Sequence, residues 1–255
     1  MNYNDKQSIG SRPPTAGQAS RTGQEWPDGV GMVYLAMSPW DGMWKNRHQL
    51  MSRFGRRMPV LYVEPPVRLR QLRRNRRLWQ RFRTDRRRPQ VRRVADDLYV
   101  LEQSAFYPVS YSRALRSVTL KRWHRRVQRA VKSIGIRCPV LWLSQPSQLD
   151  ALGEFSERLS IYHVVDEYGG YTGLDGALAD RQEADENRLL NAVDMTIVVS
   201  PELLTAKSGE GRDVHLVENA VDFDAFRSAD TTGIDIPEFA QISSPILCYT
   251  GLIGK

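Results

Sequence analysis

Three side chains near the middle of the chain have the types and spacing for acid–base chemistry. They are His163, Asp166 and Glu167, in the run Ser160-Ile161-Tyr162-His163-Val164-Val165-Asp166-Glu167-Tyr168-Gly169-Gly170. Positioned carboxylates and an imidazole can accept or deliver a proton at a reacting group. The β-branched and aromatic residues favour a strand, and the run is short for a helix. Gly169 and Gly170 then let the backbone turn without steric cost. The strand is therefore expected to deliver Asp166 and Glu167 to its carboxyl end, the edge where open α/β sheets bind ligands. The plain alternative is that Asp166 caps a loop or a helix start. His163 lies opposite Val164 in a regular strand, but alternation alone does not place it against a core or a cleft. A satisfied core histidine fits the pattern as well as a catalytic one.

Other candidates stand at the ends of apolar runs. Trp40, Asp41 and Gly42 follow the run Val30–Met37, Ser200 follows Thr196–Val199, and Asn219 follows Val214–Val217. Ser200 precedes Pro201, so it also reads as a helix N-cap with proline at the first helical position. Cys138 and Cys248 stand far apart and the four histidines are scattered. That spacing suits neither a disulfide framework nor a metal site, and it fits a reducing cytoplasm. No metal ligands are assigned.

The elements that must position these residues follow from periodicity. Val30–Met37, a helix over Met43–Phe54 and a strand over Pro59–Glu64 form a βαβ unit, which implies parallel strands. Leu98–Leu101 is a short strand. Over Ser112–Ile134, Leu120, Trp123, Val127, Ala130, Val131 and Ile134 recur at helical spacing. Strands follow at Pro139–Ser144, Ile161–Val165, Asp194–Ser200 and Val214–Val217. A short helix is expected from near Pro146, a longer one over Gly176–Ala192, and a helical turn from Asp222. The sustained alternation predicts a doubly wound, Rossmann-like parallel sheet of the α/β class.

Residues 1–28 are polar and read as a disordered tail without the apolar core of a signal peptide. No run approaches the roughly 20 apolar residues that span a bilayer. Residues 29–229 form the α/β domain, interrupted by an arginine-rich insertion over 67–93 with 13 arginines and a single acid, Asp85. Residues 230–244 read as a linker. At 245–255 an apolar strand and a glycine loop open what is expected to be a truncated second domain.

Charge is divided unevenly. Residues 1–137 hold 30 Lys and Arg against 9 Asp and Glu, a balance of +21, whereas residues 138–255 hold 7 against 20, a balance of −13. A basic half implies an anionic partner. Leu72, Trp79 and Phe82 among the arginines suit a basic amphipathic segment on an anionic membrane surface. RNA is the rival, because arginine and aromatic side chains also stack on bases. The bland alternative is a solvated insertion without a partner.

Taken in order, these motifs resemble glycosyltransferases of the GT-B fold, in particular bacterial enzymes that build cell-surface polysaccharide or teichuronic-type polymers. The resemblance runs from about Val30 to the end. It rests on Ala192–Ser200, on Leu216-Val217-Glu218-Asn219-Ala220-Val221-Asp222-Phe223-Asp224-Ala225-Phe226, on Tyr162–Tyr168, on the Trp40–Gln49 loop and helix, and on Val60–Pro66. The family usually has glycine where Ala220 stands, so the local turn is expected to differ. The resemblance implies an acceptor-side domain here. It implies a donor-binding C-terminal domain elsewhere, for which this chain has no matching acidic pair, and no bound metal or other cofactor.

The expected function is transfer of a sugar from a nucleotide-sugar donor to a lipid-linked or polysaccharide acceptor. The chain would sit at the cytoplasmic face of the plasma membrane and be inactive alone, a separate C-terminal donor domain being a candidate partner. Such transfer develops positive charge at the sugar carbon and negative charge on the leaving diphosphate. The expected catalytic residues are Asp166, Glu167 and His163, with Trp40, Asp41, Gly42, Ser200 and Asn219 binding substrate. A non-catalytic membrane- or partner-binding module is the alternative. The acids at the strand's carboxyl end and the Leu216–Phe226 motif argue against nucleic acid as the main partner.

Overall fold

A computed structural model of the chain describes residues 26–69, 91–104, 107–110, 112–167 and 176–229, with 239, 242, 243 and 247. The expected tail up to residue 25, the arginine-rich segment 70–90, the glycine turn at 168–170 and nearly all of 230–255 lie outside the described residues.

The chain forms an α/β structure around one eight-stranded sheet. In chain order the elements are β1 (Val30–Leu35), α1 (Asn46–Phe54), β2 (Val60–Val63), β3 (Val91–Ala95), β4 (Leu98–Leu101), α2 (Arg113–Ser133) and β5 (Cys138–Leu143). A 3-10 turn (Pro146–Ala151), β6 (Leu159–Val164), α3 (Gly176–Leu190), β7 (Met195–Val198), α4 (Pro201–Lys207), β8 (Val214–Leu216) and α5 (Phe223–Ala229) follow. Strand order is β3-β4-β2-β1-β5-β6-β7-β8. Every neighbouring pair is parallel except β3–β4. The arrangement is Rossmann-like, and the order reverses between β1 and β5.

The β3 strand departs from the sequence expectation, which placed residues 91–93 in the arginine-rich insertion. Arginines suit an exposed edge strand, where charge discourages pairing with another chain. Arg92 is held there by Asp41 and Glu102. Residues 67–69 also join the fold: Val67 is buried and Arg68 bridges to Val109.

Side-chain alternation sorts the core into two layers. On one face Val33, Leu35, Leu61, Leu141, Tyr162, Val164 and Val198 pack beneath Trp123 and Val127 of α2, Leu189 and Leu190 of α3, and Leu203 of α4. On the other, Met32, Tyr34, Val60, Tyr62, Trp142 and Ile161 pack beneath Met51 of α1. Gly31 lets the crossing close up: a Cβ there would stand 2.8 Å from the Pro59 carbonyl oxygen. Among the described residues α1 is the one helix that contributes side chains to this second layer. No described helix is long and apolar enough to cross a membrane.

Candidate functional site

The carboxyl edge is the place to look, because the strand order reverses there between β1 and β5. The notch between these two strands is closed by side chains. Ser144 Oγ and Gln148 Nε2 both donate to the Leu35 carbonyl oxygen, at 2.8 and 2.9 Å. Gln148 Oε1 in turn accepts from the Ser144 amide at 2.8 Å. Beside the notch, on the α2 face, a hollow of about 90 Å³ lies between Pro65, Arg68, Arg116, His124 and Gln148.

The loop after β1 is built rather than open. Glu64, buried at the end of β2, accepts from the Trp40 amide through Oε1 at 2.9 Å and from the Gln103 amide through Oε2 at 2.8 Å. His48 Nδ1 accepts from the Lys45 amide at 2.9 Å, which fixes the proton on Nε2, 3.0 Å from the Trp40 carbonyl oxygen. Burial lowers the His48 pKa and keeps that neutral tautomer. The Trp40 ring packs edge-on against Trp44, His48 and Tyr62. Trp40 is thus a loop anchor, and Asp41 receives two hydrogen bonds of 2.7 Å from Arg92. Gly42 has φ of +143°, a conformation that favours glycine.

Asp166 and Glu167 follow β6 as expected, but their surroundings differ. Asp166 is exposed and has no hydrogen bond or ion pair among the described residues. Glu167 belongs to a network. Lys207 Nζ lies 2.7 Å from Glu167 Oε1 and 3.1 Å from Glu186 Oε2, and Tyr162 OH donates to Glu186 Oε1 at 3.0 Å. Lys207 and Glu186 are both buried. Burial opposes the charge on Lys207, yet hydrogen bonds to Glu167 and Glu186 outweigh it and raise its pKa.

His163 faces the α1 side, away from this network. It lines a cavity of about 490 Å³ on the bare face of β5, β6 and β7, with Trp142, Ile161 and Ile197 as floor and Leu50 and Phe54 of α1 as wall. The imidazole is 8% exposed and stands edge-on to Trp142, with centroids 5.5 Å apart. Burial alone pushes its pKa down to about 4.

Residues Val217 to Asp222 line the same cavity. The Val217 amide still pairs with the Val198 carbonyl of β7, at 2.9 Å. From there the segment runs back over the sheet to α1. Five residues reach at most about 17 Å, enough for the three strand spacings of roughly 4.8 Å between β7 and β1. Two clasps hold the far end: Asn46 Nδ2 donates to Asn219 Oδ1, and Arg53 meets Asp222 at 3.1 Å. Asp222 also caps α5 by accepting from the Ala225 amide at 3.3 Å. Ala220, where the resembled family carries glycine, does not have positive φ, so this path makes no demand for glycine.

The structure therefore gathers His163 and Asn219 around one cavity, puts Asp166 and Glu167 at the sheet edge, and leaves Trp40 to Gly42 in a braced loop. Ser200 Oγ accepts from the Leu203 amide at 3.3 Å, the capping role open to it from sequence. Asp194 lies at the opposite edge, where Oδ2 accepts from the Ser160 amide at 2.7 Å and from its hydroxyl at 2.6 Å. Sequence reasoning missed Glu64, Glu186, Lys207 and Trp142. A buried acid and lysine 21 residues apart leave no local pattern. Compared with known proteins, the chain matches no family model and no curated protein.

Two outcomes test the site's electrostatics. Lys207→Met strands the buried Glu186 charge and is expected to cost about 3–5 kcal/mol in urea unfolding. Glu167→Gln, at a carboxylate about half exposed, should cost about 1 kcal/mol or less. Equal losses would refute the distinction.

The second outcome concerns acid. The His163 pKa is depressed from its usual 6.5. As pH falls below that value the unfolded chain binds the proton first. Stability present in full above pH 6.5 therefore erodes toward pH 4, by up to about 3 kcal/mol. His48 and His124 are lowered too, by burial. The His163 share is read as the flattening of the stability–pH curve in His163→Phe.

Proposed function

We propose that the chain is the acceptor-side half of a glycosyltransferase of the GT-B type. It moves a sugar from a nucleotide-sugar donor to a lipid-linked or polysaccharide acceptor, and the donor side comes from a second α/β body. The observation that carries the reading is Asp166. This carboxylate is exposed, without a partner among the described residues, and at the carboxyl end of a strand one position from the strand-order reversal. A free carboxylate there is placed to take the acceptor hydroxyl proton or to orient a sugar hydroxyl. Helices on both faces of the sheet support a doubly wound half. The motif order, from the Trp40 loop through Asp166 to Asn219 and Asp222, adds support. Glu167, bound to Lys207, serves here to shape the edge.

A membrane surface is the second partner. The exposed side of α2 carries Leu115, Val118, Arg122, Arg125 and Arg129 at spacings of three and four, so they form one stripe. Two exposed aliphatic side chains beside three arginines suit an anionic bilayer interface. In this reading the protein is peripheral on the cytoplasmic leaflet.

Assayed alone against a panel of nucleotide-sugars, the chain is expected to give little or no turnover, and robust turnover would refute the half-enzyme reading. Joined to a donor-binding domain, it should gain activity that Asp166→Asn lowers by about 10²-fold or more.

Sedimentation with vesicles containing anionic phosphatidylglycerol should show binding that weakens with salt. Charge reversal at Arg122, Arg125 or Arg129 should weaken it further, by about 1 kcal/mol each. Equal binding to neutral phosphatidylcholine vesicles, or salt-sensitive retention by RNA alone, would sink the membrane reading.

A further inference from the structure

The cavity under the Val217–Asp222 segment is separate from the carboxyl edge and independent of the transferase reading. Its volume of about 490 Å³ falls within the range of small-molecule sites. Its floor and wall are apolar: Val140, Trp142, Ile161 and Ile197 from the sheet, Leu50 and Phe54 from α1. Two polar groups interrupt that surface: the Trp142 indole N–H, buried without a partner among the described residues, and His163. His163 is more than nine-tenths buried and lines the cavity, and it has no hydrogen-bond partner among the described residues. Buried polar groups in native structures are normally paired, so an unpaired imidazole on a cavity wall points to a ligand atom.

We propose that this cavity binds a neutral hydrocarbon ligand carrying one hydroxyl, with the hydroxyl on His163. A neutral imidazole offers one N–H donor and one acceptor nitrogen. A hydroxyl can both give and accept a hydrogen bond, so it satisfies whichever nitrogen faces it. A carboxylate suits the site poorly, since a buried anion needs a charged or strongly donating partner. The cations nearest the cavity are engaged at its rim: Arg53 is held by Asp222 and Gln49. The hydrocarbon body fills the apolar floor. Two clasps, Asn46–Asn219 and Arg53–Asp222, hold the covering segment against α1. The residues between them and β7 are solvent-exposed, so little packing holds the segment down.

The test uses the full chain with 1-octanol and octanoate at pH 7.5, read by calorimetry and by the shift in melting temperature. Octanol should bind saturably at one site and raise the melting temperature, and octanoate should bind more weakly. His163→Phe keeps the wall apolar but removes the hydrogen bond, and should weaken octanol about threefold to tenfold. Val140→Trp, which fills the floor, should abolish binding whether or not His163→Phe folds. The proposal is overturned if octanol does not bind, if octanoate binds as well, or if octanol binding survives Val140→Trp. It also fails if the chain forms a stable dimer that closes the cavity with a second copy.

Discussion

A parallel sheet must be covered on both faces, and much in this molecule follows from how unevenly that is done. Six strands contribute to the layer under α2, α3 and α4 on one side, with Trp123, Val127, Leu189 and Leu203 packed against alternating strand residues. On the other side α1 reaches as far as Trp142, where Phe54 meets the indole at 5.6 Å. Beyond it, β6 and β7 turn Ile161, His163 and Ile197 toward a space covered by six residues rather than a helix. That cover is thin. Val217 and Val221 are largely exposed, and the clasp between Arg53 and Asp222 is a surface ion pair of small net worth. The cavity, the unpaired imidazole and the exposed apolar residues after β8 are consequences of the same uncovered face.

The acids divide by how many partners they have. Glu64 accepts two backbone amides and joins the loops after β1 and β4. Glu186 is bound by Tyr162 and Lys207, and Asp194 by the amide and hydroxyl of Ser160. Each has partners that hold the fold, and hydrogen bonds from Ser160 lower the Asp194 pKa accordingly. Asp166 has no such employment among the described residues. A carboxylate at a sheet's ligand-binding edge with no structural partner is therefore a stronger site candidate than Glu167 beside it, although the two look equivalent in the sequence.

The fold was legible where local pattern decides it. Apolar β-branched runs marked β1, β2, β5, β6 and β7, and three- and four-residue spacing marked α2, because burial selects those periods. The edge strand β3 was not legible, because its arginines satisfy an edge but read as an insertion. His163 was a matter of register: alternation gave its side relative to Val164, and only tertiary packing decided that this side was the bare one. Asn219 and Asp222 stand out in the sequence as part of the Leu216–Phe226 motif. Their partners, Asn46 and Arg53, are separated from them by 173 and 169 residues, a pairing no local rule reaches.

The two faces also carry different business. The basic stripe of α2 points outward from the face that buries Trp123 and Val127, and the cavity opens on the opposite face, beneath Val217–Asp222. With α2 against an anionic surface, that segment faces away from it. A molecule entering the cavity would then arrive from the aqueous side rather than by sliding out of the bilayer beneath α2. That geometry selects for ligands with appreciable water solubility, and a single hydroxyl on a modest hydrocarbon meets the requirement better than a long chain.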